Sequence, residues 1–387
     1  MTTNTHWVSL VCVLLFLLSV GTGCSPKPPE TELPPTAVEW QNPIQPVTLE
    51  WIDATPVDKF RMAFVMEYGR DFEVTDLNGE SLLNEALFRA ATKWDVSVVE
   101  FLVSRGADVN AKDDRGFFPL HYAAENNANV AVADFFIAKG VDVNVRNSGG
   151  LTPLHTAAGG NTNGEVARFL VSKGADVDMR DNDGSTPLHW AARNNANVEI
   201  IKFLVSEGTD VNAKNDHGST PLHWAAGSNA NVEIIKFLVS EGADVSANAK
   251  SGITPLHSAA SGNANVEIFA FFVSKGADVN TRDEYGATPL HFAASSAEGN
   301  VNAIKFLISA EAEVNAKNVG GYTPLHLAAG KVAGLNNVVD MLLLNGAVVD
   351  AQNNDGLTPL DLARENGNTA AIREFFLVGA LSGKTEK

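Results

Sequence analysis

A unit of about 34 residues recurs along most of this chain, and this periodicity limits the possible folds more than any other feature. Its clearest part is the tetrapeptide Thr-Pro-Leu-His, which begins at residues 152, 186, 220, 254, 288 and 323, with variants at 118–121 and 358–361. The histidine position advances by 34 residues from His121 to His291 and then by 35 to His326. A period of this length predicts a solenoid, in which each repeat contacts only its neighbours.

The residues of one unit, 186 to 219, predict two helices followed by an extended finger. Thr186 is a favourable N-cap, and Pro187 stands at the first helical position, where its missing N–H costs nothing. Asn197 is placed to cap the second helix. Gly208 ends that helix in a left-handed conformation, and Thr209 to Gly218 then form a hairpin-like finger.

The second helix of each unit cannot bury its own apolar surface. In the unit 186–219 the apolar residues of this helix extend around more than one of its sides. Other helices must therefore pack on more than one side to bury them. They are Val198, Ile200, Ile201, Phe203, Leu204 and Val205. Stacked neighbouring units supply this cover, so the sequence predicts an all-α fold, an α-solenoid.

The repeat resembles that of the ankyrin family, which reads roughly Gly-x-Thr-Pro-Leu-His-x-Ala-Ala, a turn, a second apolar helix and Gly-Ala-Asp-Val-Asn. Residues 276–280 match the last element in full. The resemblance implies stacked helix-turn-helix repeats with β-hairpin-like fingers. We expect about nine repeats over 80–378, a capping half-repeat at 57–79 and a C-terminal tail at 379–387.

The amino terminus reads as an export signal. Trp7 to Val20 is an uncharged apolar stretch of the length of a signal-peptide core, which predicts a signal peptide at 1–23. Residues 20–24, Val-Gly-Thr-Gly-Cys, resemble a bacterial lipobox, which implies lipidation of Cys24. Cleavage after Gly23 without lipidation and an uncleaved short anchor remain alternatives.

Residues 24–56 are rich in proline and predict an extended tether. Together with the leader, they lead us to expect an exported protein of the bacterial cell envelope, a periplasmic or outer-membrane lipoprotein. Its contact with the membrane would be made only through the N-terminal lipid.

The histidines offer little for catalysis or metal binding. Seven of the nine occupy the repeated tetrapeptide, where the family resemblance implies a structural hydrogen-bonding role. They are His121, His155, His189, His223, His257, His291 and His326. Only His6 and His217 remain, and the chain has two cysteines, so we expect no catalytic residues, no metal site and no cofactor.

Two further classes of ligand are disfavoured. Asp and Asn are frequent in the fingers, for example at 181–183, which invites a calcium hypothesis, but the turn chemistry of these residues explains them more simply. The net charge of −18, without a basic face visible in the sequence, argues against nucleic acid.

Sequence variation between units is concentrated at the fingertips and beside them, where a solenoid presents an extended concave surface. We therefore predict that these positions bind a protein partner. They are Arg115, Phe117, Leu151, Asp183, His217, Lys250, Ile253, Glu284, Tyr285, Tyr322 and Leu357. Aromatic residues are enriched at interface hot spots, although Phe117, Tyr285 and Tyr322 have the alternative of packing on neighbouring fingers.

A second aromatic row, Tyr122, Trp190, Trp224 and Phe292, directly follows the histidine position. We interpret this row as packing between units.

The sequence thus leads to a hypothesis and two alternatives. The first is a monomeric, non-catalytic scaffold or adaptor that binds proteins at the cell envelope. The near-identity of the units around 186–260 favours instead a passive structural solenoid without a dedicated partner. A regulator or inhibitor of a partner enzyme is the more distant alternative.

Overall fold

The computed structural model describes residues 82–126, 130–160, 164–194, 197–228, 231–262, 265–296, 300–331 and 336–382. The predicted signal peptide at 1–23, Cys24, the tether at 24–56 and the half-repeat at 57–79 lie outside these residues.

Within the described ranges the chain forms eighteen α-helices, arranged as nine consecutive pairs. The helices are α1 (Leu82–Lys93), α2 (Val96–Ser104), α3 (Pro119–Asn126), α4 (Val130–Ala138), α5 (Pro153–Gly160), α6 (Glu165–Ser172), α7 (Pro187–Asn194), α8 (Val198–Ser206), α9 (Pro221–Ser228), α10 (Val232–Ser240), α11 (Pro255–Gly262), α12 (Val266–Ser274), α13 (Pro289–Ser295), α14 (Val301–Ser309), α15 (Pro324–Ala329), α16 (Asn336–Leu344), α17 (Pro359–Glu365) and α18 (Thr369–Ser382). A short 3-10 turn covers Lys250–Gly252. No strand occurs in the described residues.

The helix ends follow the capping chemistry predicted from the sequence. The side-chain oxygen of Asn197 accepts a hydrogen bond from the backbone N–H of Glu199 at 3.0 Å, and Asn231 and Asn265 make the equivalent bond. At the other end of α8, Gly208 has a φ of +94°, which carries the chain out of the helix. These local signals fix the boundaries of each helix pair.

The helices stack by repeat, and this stacking builds one continuous core. Each first helix packs on the first helix of the next repeat, and most second helices pack on the next second helix. The Ala-Ala pairs of the first helices, such as Ala191 and Ala192, are fully buried. Small side chains let these helices approach closely, and the apolar second helices close the core. The predicted all-α solenoid is confirmed.

Successive fingers are joined by a backbone hydrogen bond across each gap. One N–H near the tip donates to a carbonyl of the preceding finger, with N···O distances between 2.7 and 3.2 Å. The donors are Ser148, Asn182, Asp216, Lys250, Glu284, Val319 and Asn354. The fingers therefore form a ladder whose side chains can vary while the backbone stays in place.

The C-terminal end differs from the expected boundary and exposes apolar side chains. Helix α18 continues to Ser382, past the predicted start of the tail at 379. Phe376 and Leu377 are exposed on it, and Leu344 is 86% exposed at the end of α16. None of the helices in the described ranges is both long and apolar enough to cross a membrane.

Glu311 stands where the preceding repeats end their second helix with glycine, and it adopts a left-handed φ of +67°. A residue with a Cβ is strained in this region. The equivalent Gly276 has a φ of +90°, and a Cβ added there would meet no atom within 4 Å. Backbone strain is therefore the main difference between the two junctions.

We predict that Glu311→Gly increases the free energy of unfolding by about 1 kcal/mol, because glycine relieves the left-handed strain. The reciprocal variant Gly276→Ala should lower it by a similar amount. Urea unfolding followed by circular dichroism measures both changes. A decrease in stability for Glu311→Gly would show that the glutamate side chain contributes more than its backbone strain costs.

Candidate partner-binding face

Most fingertips are shaped by one Asp or Asn side chain that accepts two hydrogen bonds from the backbone of its own finger. In the finger between α2 and α3, Asp113 accepts from the N–H groups of Arg115 and Phe117, at 2.9 and 2.7 Å. Ala249 occupies this position in one finger and offers no such acceptor. Two residues later Ser251 is left-handed, with a φ of +65°, so this finger turns differently from the others.

The eleven predicted binding residues fall into two groups by exposure. Those at the tips are exposed, namely Arg115, Asp183, His217, Lys250, Glu284 and Tyr285. Those where the finger returns to the next helix are half-buried, namely Phe117, Leu151, Ile253, Tyr322 and Leu357. The first group offers exposed polar and aromatic side chains, of which Arg115 donates to the Tyr122 hydroxyl, and the second forms the base of the face.

The three aromatic candidates differ in their packing. Tyr285 is 63% exposed at its tip. Phe117 packs edge-on to His121 with ring centroids 5.3 Å apart, and Tyr322 packs on His326 at 5.8 Å. Phe117 and Tyr322 therefore cover the histidine at the start of the helix that follows them, and Tyr285 is the aromatic residue of this group that is exposed to solvent.

The second aromatic row lies along the first helices and is half-buried. The ring centroids of Trp190 and Trp224 are 5.8 Å apart in an edge-to-face arrangement, which is packing between units as interpreted from the sequence. The indole N–H of Trp190 donates to Asp181 at 3.0 Å, and the Tyr122 hydroxyl donates to Asp113 at 2.6 Å. The fingertip acids thus also hold the aromatic row in place.

Two cavities open beside this row. One, of about 250 Å³, is lined by Phe117, Leu151, Thr156, Gly159, Gly160 and Trp190, with Arg115, Glu125, His155 and Asn194. The other, of about 360 Å³, is lined by Trp224, Gly227, Ile253, Ser258, Gly262 and Phe292, with Arg193, Ser219, His223, Ser228 and Ser261. We call them the Thr156 socket and the Ser258 socket. Four of the eleven predicted residues line them: Arg115, Phe117, Leu151 and Ile253.

The small residues of the sockets were missed by the sequence analysis. Thr156 and Ser258 interrupt the aromatic row, and Gly159 and Gly160 end one of the first helices. A small residue in a position that holds Trp or Phe in neighbouring repeats is the signal that could have revealed them.

A third cavity, of about 410 Å³, lies between the first two described repeats and has a different character. Its lining includes the charged residues Glu85, Arg89, Asp113, Asp114 and Arg115.

A row of basic side chains along the fingers was also missed. It contains Lys112, Arg146, Arg180, Lys214, Arg282 and Lys317, which are all exposed. Several of them donate to a backbone carbonyl of the next finger, as Arg146 does to Arg180 at 2.8 Å and Lys317 to Gln352 at 2.8 Å. Acidic residues four positions earlier, such as Asp142, accompany the row, so it joins fingers rather than forming a basic face.

The seven repeated histidines join the start of each helix pair to the finger that follows it. In each, Nδ1 accepts a hydrogen bond from the backbone N–H three residues earlier, at 3.1 or 3.2 Å. Nε2 lies 2.9 to 3.1 Å from a carbonyl oxygen of the following finger. Because Nδ1 accepts, the proton of the neutral ring is on Nε2, which donates to that carbonyl.

The last repeat replaces histidine by Asp361. Its carboxylate accepts from the backbone N–H of Thr358 at 3.0 Å and from the Thr358 hydroxyl at 2.6 Å, as Nδ1 does elsewhere. No described finger follows this repeat, so a second, donating nitrogen has no acceptor to reach. Asp361 therefore fits a terminal repeat.

Burial keeps the histidines neutral. Desolvation lowers the pKa of His121, His155 and His189 from 6.5 to about 4, against the smaller opposing effect of their hydrogen bonds to the next finger. Desolvation likewise lowers the pKa of His223, His257, His291 and His326. In the described ranges no group of three or more His, Cys, Asp or Glu side chains is arranged to hold a metal ion.

The comparisons with known proteins agree with this architecture. A family profile described as ankyrin repeats (3 copies) matches residues 64–147, 87–181, 120–215, 161–249 and 222–318. A second, described as ankyrin repeats (many copies), matches residues 307–363. Comparison with curated proteins gives no significant match.

The fold is that of a helical-repeat solenoid with protruding fingers. The chain belongs to the ankyrin-repeat family. Ankyrin repeats are generally modules for protein–protein interaction and are typically non-catalytic.

We predict that stability falls steeply as the pH is lowered from about 6.5 toward 4. In this window the unfolded chain binds protons at histidines whose folded pKa is near 4, as for His121, His155 and His189, so acid favours unfolding. Each such histidine contributes about 1.4 kcal/mol per pH unit to the slope. Urea midpoints measured between pH 7.5 and 5 test this.

His217→Ala is the control for this experiment, since His217 lies exposed at a fingertip outside the tetrapeptide. The variant should retain the pH profile of the parent chain. Equal urea midpoints at pH 7 and pH 5 would contradict the conclusion that the seven repeated histidines are neutral in the folded chain.

Proposed function

We propose that this protein is a monomeric, non-catalytic scaffold that binds a partner protein through its fingertips and the exposed side of its first helices. The observation that carries the proposal is the separation of constant and variable positions. The finger backbone and the histidines repeat with nearly constant geometry. The side chains displayed on this frame differ, as in Asp183, His217 and Tyr285.

Two hypotheses compete with this proposal. A passive solenoid is favoured by the identical sequence of α8 and α10, Val-Glu-Ile-Ile-Lys-Phe-Leu-Val-Ser. A regulator or inhibitor of a partner enzyme would use the same face and differs only in the nature of the partner. The exposed polar and aromatic tips favour binding over passive stacking, because stacking makes no use of a side chain such as Tyr285, which is 63% exposed.

We predict that the combined variant Asp183→Ala, His217→Ala and Tyr285→Ala loses at least tenfold in affinity for a partner captured by the parent chain. All three side chains are exposed, so their truncation should leave the fold intact, and hot-spot residues each contribute about 1 to 2 kcal/mol or more. Capture uses the full chain on native membranes with crosslinking, followed by affinity measurement with the purified partner.

Leu344→Ala is the matched control, because Leu344 is 86% exposed but lies on α16, a second helix away from the fingertips. It should bind like the parent chain. Unchanged affinity of the triple variant, with its circular dichroism spectrum intact, would contradict recognition by the tips. Phe117 and Tyr322 are less suitable for this test, since they pack on histidines.

We also propose export and attachment to a bacterial cell envelope through lipidated Cys24, with 24–56 as the tether. The support is the sequence of the leader and of residues 20–24.

We predict that Cys24→Ala abolishes the lipid adduct seen by mass spectrometry and moves the protein from the membrane to the soluble fraction. Undiminished membrane attachment of this variant would exclude lipid anchoring.

A further inference from the structure

The Thr156 socket and the Ser258 socket occupy equivalent positions beside the first helices. Thr156 and Ser258 are 102 residues apart, which is three periods of 34, and both directly follow the repeated histidine. Each socket is closed on one side by the aromatic residue of the next repeat, Trp190 or Phe292. Leu151 and Ile253, again three periods apart, supply the equivalent apolar wall.

Two consecutive first helices, α7 and α9, separate the sockets. They carry Trp190 and Trp224, whose edge-to-face contact forms a ridge between the two depressions. Trp190 borders the Thr156 socket, and Trp224 borders the Ser258 socket. Along this face, the Thr156 socket is therefore followed by the aromatic ridge and then by the Ser258 socket.

The size of the sockets suits single side chains. Pockets that enclose small molecules have volumes of about 300 to 1,000 Å³; the Thr156 socket, at about 250 Å³, is below this range and the Ser258 socket, at about 360 Å³, is near its lower end. Three helix spacings of about 8 to 10 Å place the sockets about 24 to 30 Å apart. An extended polypeptide rises about 3.3 Å per residue, so about eight residues span this distance.

The charge of the sockets selects the partner. Arg193 is the charged residue in the lining of the Ser258 socket, and it lies over the Trp224 ring at 5.4 Å. The Thr156 socket has one charge of each sign, Arg115 and Glu125. On a chain with a net charge of −18, a nearly neutral, aromatic-lined strip favours an uncharged segment over an ionic one.

We infer that the partner docks as an extended, uncharged segment with two bulky apolar side chains eight residues apart, one in each socket. Even spacing places both side chains on the same side of an extended chain. The segment crosses the Trp190–Trp224 ridge between its two anchors. This inference rests on the proposed function, since it specifies how the scaffold would recognise its partner.

The test measures binding of three fluorescein-labelled peptides of Ser, Thr and Gly to the full chain by fluorescence anisotropy. The first carries Phe at positions i and i+8, the second has only one Phe, and the third has Phe at i and i+4. The third cannot reach both sockets, because four residues span at most about 14 Å. The first should bind at least about tenfold more tightly than either of the others, since its second anchor binds intramolecularly.

Variants that fill one socket complete the test. Thr156→Trp and Ser258→Phe place in each socket the kind of side chain that Trp190 and Phe292 already provide at the same position of the next repeat. Each should reduce the affinity of the i, i+8 peptide to that of the single-anchor peptide. Leu327→Phe, at the same position of a repeat outside both sockets, is the control and should bind like the parent chain.

If a filled variant loses its helical circular dichroism signal, Ile253→Ala replaces it. This change widens the Ser258 socket and should also remove the advantage of the second anchor. Equal binding of the three peptides, including no measurable binding of any, contradicts the inference. A peptide affinity that falls as the protein concentration rises also contradicts the inference, because a second copy of the chain would then occupy the sockets.

The two levels of the proposal fail separately. A captured partner that still binds Thr156→Trp and Ser258→Phe but is lost by the fingertip triple variant would exclude the sockets and retain the scaffold function. A partner that binds all of these variants equally would exclude the whole face.

Discussion

The hydrogen bond from a neutral histidine to the carbonyl of the next finger is the interaction on which the candidate binding face depends. It joins the start of a helix pair to the finger that follows this pair, as His189 does with Ser219 at 3.0 Å. The imidazole is suited to this position because it accepts at Nδ1 and donates at Nε2 in one rigid ring. Its burial excludes the charged form, since protonation would place a second donor opposite the N–H of Thr186.

A frame held in this way leaves the tips free to vary. The backbone ladder, the tip Asp or Asn and the basic residues that reach the next finger hold each finger through the backbone of residues such as Asp183 and Tyr285 and leave their side chains unused. The histidine reaches the carbonyl, not the side chain, of the residue at the finger base. Leu151, Ser185 and Ile253 can therefore differ in chemistry while their carbonyls accept the same bond.

Local chemistry made much of this structure predictable. The cap at Asn197, the helix start at Pro187 and the left-handed Gly208 each depend on one residue and its immediate neighbours, so the linear sequence was sufficient to predict them. The sockets were not predictable in this way. They require Thr156, Trp190 and Leu151, which lie on different elements, to meet at one point.

The fingertip aromatics show a related limit. Phe117 and Tyr285 are both aromatic residues of a finger. Phe117 packs on a histidine, whereas Tyr285 is exposed to solvent. Likewise, the unusual turn at Ser251 depends on a missing acceptor at Ala249, which matters only because this side chain shapes the other tips. Exposure is a property of the packed array, and the repeat pattern alone does not determine it.

The two most similar repeats, 186–219 and 220–253, bear on whether the array only stacks. They differ at nine positions, and none lies in the second helix. Two differences lie at the end of the first helix, and seven lie in the finger. Ala249 lacks the side-chain acceptor that Asn215 provides in the preceding finger. Asn248 stands at the position of Lys214, whose side chain donates to the next finger. The first change removes hydrogen bonds within the finger, and the second removes one between neighbouring fingers. A purely passive solenoid gains nothing from such changes, whereas a binding surface gains chemical variety at the positions that face a partner.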